Sequence, residues 1–151
     1  MKKIRNSICI LFLGLFLLSC IKEDNININR NIETAIAVQS SVNAKTFVNS
    51  EEKLHVQIDQ SNPQFLKNLS DTDVAKLKAA LYKFYSTVHL KDEHYYTQLK
   101  SGAEINISED LYKLFKNNLE DMNQNIDNLK DRNEMVKIQK ITPKYLESLL
   151  N

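Results

Sequence analysis

"SDTDVAKLKAALYKFYSTV", residues 70–88, is the stretch whose reading decides the fold. Val74, Leu77, Leu81, Phe84, Tyr85 and Val88 recur at steps of three and four. That spacing gathers side chains on one face of an α-helix. Ser70 stands where an N-cap is wanted, and Asp73 three residues later completes a capping-box pattern. The acid also sits favourably at the positive end of the helix. The stretch predicts an amphipathic helix over 71–88 with Leu81 turned to the core. A single apolar stripe must be covered by other elements, so the rest of the chain has to supply them.

The cover is legible downstream. In "SEDLYKLFKNNLEDMNQNIDNL", residues 108–129, Ser108 caps a second long helix with Glu109 and Asp110 in its first turn. Phe115, Leu119, Met122, Ile126 and Leu129 step by four and three. The seam is heptad-like but too short for a coiled coil, so it predicts packing within the domain. Thr142-Pro143 starts a final helix, since proline suits the first helical position, and Leu146, Leu149 and Leu150 give it an apolar face. Alternation predicts a strand at Leu54–Ile58, paired with Thr46-Phe47-Val48, and another at Met135–Ile141. Ile105 and Ile107 suggest a short strand after a turn at Lys100-Ser101-Gly102. Asn62-Pro63 opens a helical turn reaching Leu69. The expected fold is a small, helix-dominated α+β domain with a minor β-sheet over residues 46–151. No internal repeat is visible.

Upstream the character changes. Lys2, Lys3 and Arg5 precede an apolar run from Ile8 to Leu18, broken only by Gly14. The run is too short to span a bilayer, which takes about 20 apolar residues. A basic head, a short apolar middle and a small residue at the end read as a signal peptide, residues 1–19. Residues 20–45, with "NININRNIET" at their centre, bury too little to offset their ordering entropy and read as a flexible tether.

Leu17-Leu18-Ser19-Cys20 resembles the lipobox of bacterial lipoproteins. The resemblance implies that the Cys20 thiol is lipidated, that cleavage falls just before it, and that the new amine is acylated. One chain anchors only marginally, whereas two or three on one residue hold stably. Lys22-Glu23-Asp24 directly after the cysteine is similar to the signal that sends lipoproteins of the Bacteroidetes to the outer face of the outer membrane. The implied location is the outer membrane, lipid-anchored and facing the cell exterior, with a periplasm-facing lipoprotein as the alternative.

Composition excludes several chemistries. The formal net charge is +1. Removing residues 1–19 takes away three cations and no acid, so no basic excess is left for nucleic acid. Of the two cysteines, Cys9 leaves with the signal and Cys20 carries lipid. An exported domain without disulfides depends on packing alone. There are two glycines, and only Gly102 lies in the domain. A P-loop, a dinucleotide fingerprint and a G-x-S-x-G elbow each need more. No cofactor is expected.

Two groups remain as candidate sites. His89, Asp92, Glu93 and His94 are the one cluster of ligand-type side chains. Five residues apart, the two histidines diverge by about 140° on a helix and face opposite ways on a single strand. No Gly or Pro lies between them to bend the chain, so no metal site is expected. Tyr95-Tyr96 is the aromatic pair that suits contact with a glycan or a protein. The leading expectation is a non-catalytic, lipid-anchored binding or accessory module. The alternatives are a small inhibitory, immunity-type lipoprotein and a small hydrolase using the His89–His94 region.

Overall fold

The computed structural model describes residues 38–59, 65–134, 136 and 138–151. The signal peptide, the Cys20 lipobox, the Lys22-Glu23-Asp24 motif and the tether up to residue 37 lie outside the described residues, as do Asn62-Pro63, Met135 and Lys137. Among the described residues the chain forms α1 (Lys45–Val48), a 3-10 turn (Phe65–Asn68), α2 (Asp71–Tyr85), β1 (Val88–Lys91) and β2 (His94–Thr97). A second 3-10 turn (Gly102–Ile105), α3 (Glu109–Asp131) and α4 (Pro143–Ser148) follow. This is an α+β domain dominated by helix, with one two-stranded antiparallel sheet. None of these helices is long and apolar enough to cross a membrane.

The caps form where the sequence places them. Ser70, Ser108 and Thr142 each accept a backbone N–H, from Asp73, Leu111 and Tyr145. α2 ends at Tyr85 rather than Val88, because the next two hydroxyls fold back on the helix. Ser86 Oγ donates to Lys83 O and Thr87 Oγ1 to Phe84 O, each at 2.7 Å, in competition with a further helical turn. Val88 is still buried, but as the first residue of β1. α3 ends in a Schellman motif: Glu134 N donates to Leu129 O and Asn133 N to Lys130 O. Asn133 supplies the left-handed φ of 55° that glycine more often provides.

α2 and α3 pack around Phe84, whose ring lies 5.5 Å from Tyr85, 6.2 Å from Tyr112 and 5.5 Å from Phe115, centroid to centroid. Phe84, Phe115, Leu54, Leu81, Ile107, Leu111 and Leu149 are the largest fully buried side chains.

The strands are where the sequence reading needs correction. Thr46-Phe47-Val48 lies in α1, not in a strand. Leu54–Ile58 is extended but makes a single parallel bridge, Leu54 to Ile107, with Leu54 N donating to Asn106 O and Ser108 N to Leu54 O. The reason is local. Ile107 is preceded by the 3-10 turn and followed at once by the cap of α3, so it has no length to pair. A β-carbon on Gly102 would lie 2.7 Å from Ile107 O and 2.8 Å from Ser108 O; only glycine lets the two backbones approach. Val136 and residues 138–141 form no strand. Their apolar side chains pack on the core, so the alternation there records burial without a pairing partner. The packed unit also reaches back beyond the boundary drawn at residue 46. Ala44 is buried with Ala75 and Leu150, and Ser40 Oγ donates to Asp71 O at 2.7 Å.

Candidate functional site: the outward face of the hairpin

The sheet lies between the two long helices, in the stretch that carries both candidate groups. Its register pairs Val88 with Thr97, His89 with Tyr96, Leu90 with Tyr95 and Lys91 with His94. Side chains alternate across a strand and match across a pair. Val88, Leu90, Tyr95 and Thr97 therefore share the inner face, and His89, Lys91, His94 and Tyr96 the outer one. The expectation that the two histidines face opposite ways is overturned, because it treated the segment as one continuous strand. The chain bends sharply between them without Gly or Pro. Asp92 and Glu93 both take positive φ, 50° and 64°, the backbone of a two-residue hairpin turn that usually carries Asn-Gly. A left-handed residue other than glycine costs roughly 1–2 kcal/mol.

Contacts from α3 hold this turn in place. Glu93 pairs with Lys130 at 2.7 Å, and the lysine keeps the exposed carboxyl below its usual range, by hydrogen bond first and by charge second. His94 Nε2 meets Asp127 Oδ1 at 2.9 Å and its Nδ1 meets the Asp92 carbonyl at 3.0 Å. Both partners are acceptors, so only the imidazolium, with a proton on each nitrogen, satisfies both. The Asp92 carbonyl and then Asp127 accordingly raise the His94 pKa. The sign follows from linkage. A raised pKa stabilises the fold fully at pH below the ordinary histidine value, and that contribution is lost as pH rises through the folded value. His94 is partly exposed, so the contribution is small. In an NMR titration His94 should titrate above the ordinary histidine value, and Asp127→Asn should lower its midpoint. An unchanged midpoint in the variant would show that the contact is incidental.

The two tyrosines part company. Tyr95 is buried, and its hydroxyl donates to Gln139 O at 2.7 Å. Burial pushes the phenol up to about 12, against a smaller opposing effect of that hydrogen bond. Its backbone is clamped by Asn123, which accepts from Tyr95 N and donates to Tyr95 O, both at 2.8 Å. Tyr95 thus holds the hairpin to α3 and is no contact residue, which corrects the expectation for the pair. Tyr96 is 39% exposed, and among the described residues it is the exposed large hydrophobic side chain. Its ring lies 5.6 Å from that of His89, tilted by 43°. Tyr85 and Tyr112 serve the core, with Tyr112 donating to Leu99 O at 2.8 Å. His55 is exposed, as its place in the alternation implies.

Asn123, Asp127 and Lys130 did not emerge from the sequence as site residues. Their signal was their spacing of four and three along one face of α3, beside the apolar seam. Among the described residues no group of three or more His, Cys, Asp or Glu is placed to hold a metal ion. With both nitrogens of His94 engaged, the outward face of the hairpin presents Tyr96, His89 and Lys91 beside it. Comparison with protein-family models, curated proteins and solved structures finds no match to this chain.

Proposed function

We propose that the protein is a lipid-anchored, non-catalytic binding module of the cell envelope. Lipid on Cys20 holds it at the outer membrane, the Lys22-Glu23-Asp24 motif directs it to the cell surface, and the hairpin presents Tyr96 and His89 to a protein or glycan partner. The observation that carries the binding role is Tyr96, a large ring left in solvent on a strained hairpin fastened to α3. An aromatic ring with one open face offers large contact area at low entropic cost. The anchoring role rests on the basic head, the short apolar run and Leu17-Leu18-Ser19-Cys20.

The test has three arms in cells of the source organism. A fatty-acid analogue should label the wild-type protein and not Cys20→Ala. Replacing Lys22, Glu23 and Asp24 together with Ala should leave labelling intact and hide the domain from external protease. Equal labelling of Cys20→Ala would sink the anchor. A photo-crosslinking side chain at position 96 should trap a discrete partner that the same group at exposed Asn117 does not. Equal trapping at both positions would remove the hairpin from the role.

A further inference from the structure

His94 stands between two acceptors that belong to different elements. Its Nε2 meets Asp127 Oδ1 on α3 at 2.9 Å, and its Nδ1 meets the Asp92 carbonyl at 3.0 Å. The first contact ties β2 to α3. The second fixes the peptide between Asp92 and Glu93, the centre of the turn. Both turn residues hold positive φ without the Asn-Gly chemistry that favours it. Such a backbone persists only where its surroundings fix it.

A neutral imidazole has one N–H, so it cannot donate to both oxygens. A charge-assisted hydrogen bond is about twice as strong as a neutral one, so the remaining proton stays on Nε2, against the Asp127 carboxylate. Nδ1 then turns a lone pair toward the Asp92 carbonyl at the distance of a hydrogen bond. The neutral ring keeps its hold on α3 and repels the turn. The other charged groups around it are few. Lys91 stands across the pair and His89 lies diagonally on the same face. Glu93 is paired with Lys130, and its carboxyl, held below the usual range, stays charged while a histidine titrates. Lys130 opposes the proton on His94 only after the Asp92 carbonyl and Asp127 have favoured it.

We propose that His94 is a protonation switch for the hairpin turn: the imidazolium locks the Asp92–Glu93 peptide, and loss of one proton releases it. The turn is held at pH below the ordinary histidine value and loosens as pH rises through the higher folded value. The Tyr95 backbone, clamped by Asn123, stays seated in both states. The outward face thus has a fixed half, Tyr96 and His89, and a pH-dependent half, Lys91 and His94. Its consequence for a partner rests on the binding role proposed above.

The experiment follows the full chain, in detergent, by NMR across the titration. Nitrogen shifts of the imidazole read the protonation of His94. A titrating charge moves neighbouring shifts in any structure, so amide exchange corrected for its intrinsic pH dependence reads the turn. Lys91 and His94 flank the turn and bond each other across the pair. Their amides should lose about two- to fivefold in protection as the ring loses its proton, the factor that an exposed ion pair is worth. The amides of Tyr95 and of α2 should hold. His94→Gln should give a flat profile, and Asp127→Asn should carry the imidazole midpoint and the loss of protection to lower pH together. If His94→Gln does not fold, the comparison with Asp127→Asn decides. Protection that is constant while the ring deprotonates, an equal loss in a folded His94→Gln, or a loss that stays in place when the midpoint moves would each overturn the switch. So would a midpoint that Asp127→Asn leaves unmoved. No partner enters the measurement, so failure of crosslinking from position 96 would remove the binding role and leave the switch standing.

Discussion

Phe84→Ala should destabilise the domain by about 3–5 kcal/mol, the usual cost of removing a buried aromatic ring. The ring is wholly buried, and Tyr85, Tyr112 and Phe115 stand around it at 5.5–6.2 Å. Its loss removes apolar burial and leaves a cavity that the two long helices cannot close. Both are fixed elsewhere, α2 by its Ser70 cap and α3 by Ser108 and the Schellman turn. Aromatic pairs add about 0.5–1.5 kcal/mol beyond area, which favours the upper half of the range. Leu81→Ala and Leu119→Ala should each cost about 2–5 kcal/mol, since both are buried on the facing sides of α2 and α3. The folded domain contains no cysteine, so no bridge offsets such a loss. Denaturant unfolding is the measurement: the midpoint should fall with little change in slope. Exposed Lys116 is the control, and its replacement by Ala should stay within about 0.5 kcal/mol. A shift that small at Phe84 would place the core elsewhere.

Helices and caps were readable because their signals are local. Ser70, Ser108 and Thr142 act within three residues of themselves, and each apolar stripe is written in its own helix. Strands depend on partners that lie elsewhere. Leu54–Ile58 and Met135–Ile141 carry the alternation of strands; the first gains one bridge, and among the described residues of the second, Val136 and 138–141, there is none. The hairpin that does form hides its turn, because Asp92-Glu93 lacks the Asn-Gly chemistry that marks such bends. Its left-handed backbone is supported by Lys130 and Asp127 on α3, so the evidence for the turn lies in another element. Tyr96 was legible as a surface aromatic. Tyr95 was misread because strand parity, which sends it inward, follows from a register that only the turn defines. The same turn places His89 and His94 on one face.

Asn123→Ala is the change expected to separate the hairpin from the rest of the domain. Counting outward from the two-residue turn, Lys91–His94 is a hydrogen-bonded pair, and Leu90–Tyr95 is therefore a non-hydrogen-bonded one. The Tyr95 N–H and C=O point away from β1, toward α3. One asparagine amide satisfies both, accepting from the N–H and donating to the C=O. Alanine leaves a donor and an acceptor unpaired on a buried residue. Each such group costs about 1–3 kcal/mol. Water at the sheet edge recovers part of that, so the expected loss is about 2–4 kcal/mol. Asn123→Asp isolates the two halves, because a carboxylate still accepts from the N–H but faces the carbonyl with like partial charge. It should therefore lie between wild type and Ala. Hydrogen exchange reads the local event, with the Tyr95 amide expected to lose protection more than the amides of α2. The consequence extends to the site. Tyr96 and His89 keep a fixed orientation only while β2 is held on α3, so crosslinking from position 96 should fall with the clamp. A Tyr95 amide that stays protected in Asn123→Ala would mean that the buried Tyr95 ring and its bond to Gln139 hold the hairpin unaided. The rigidity of the outward face would then come from packing and not from the amide bridge.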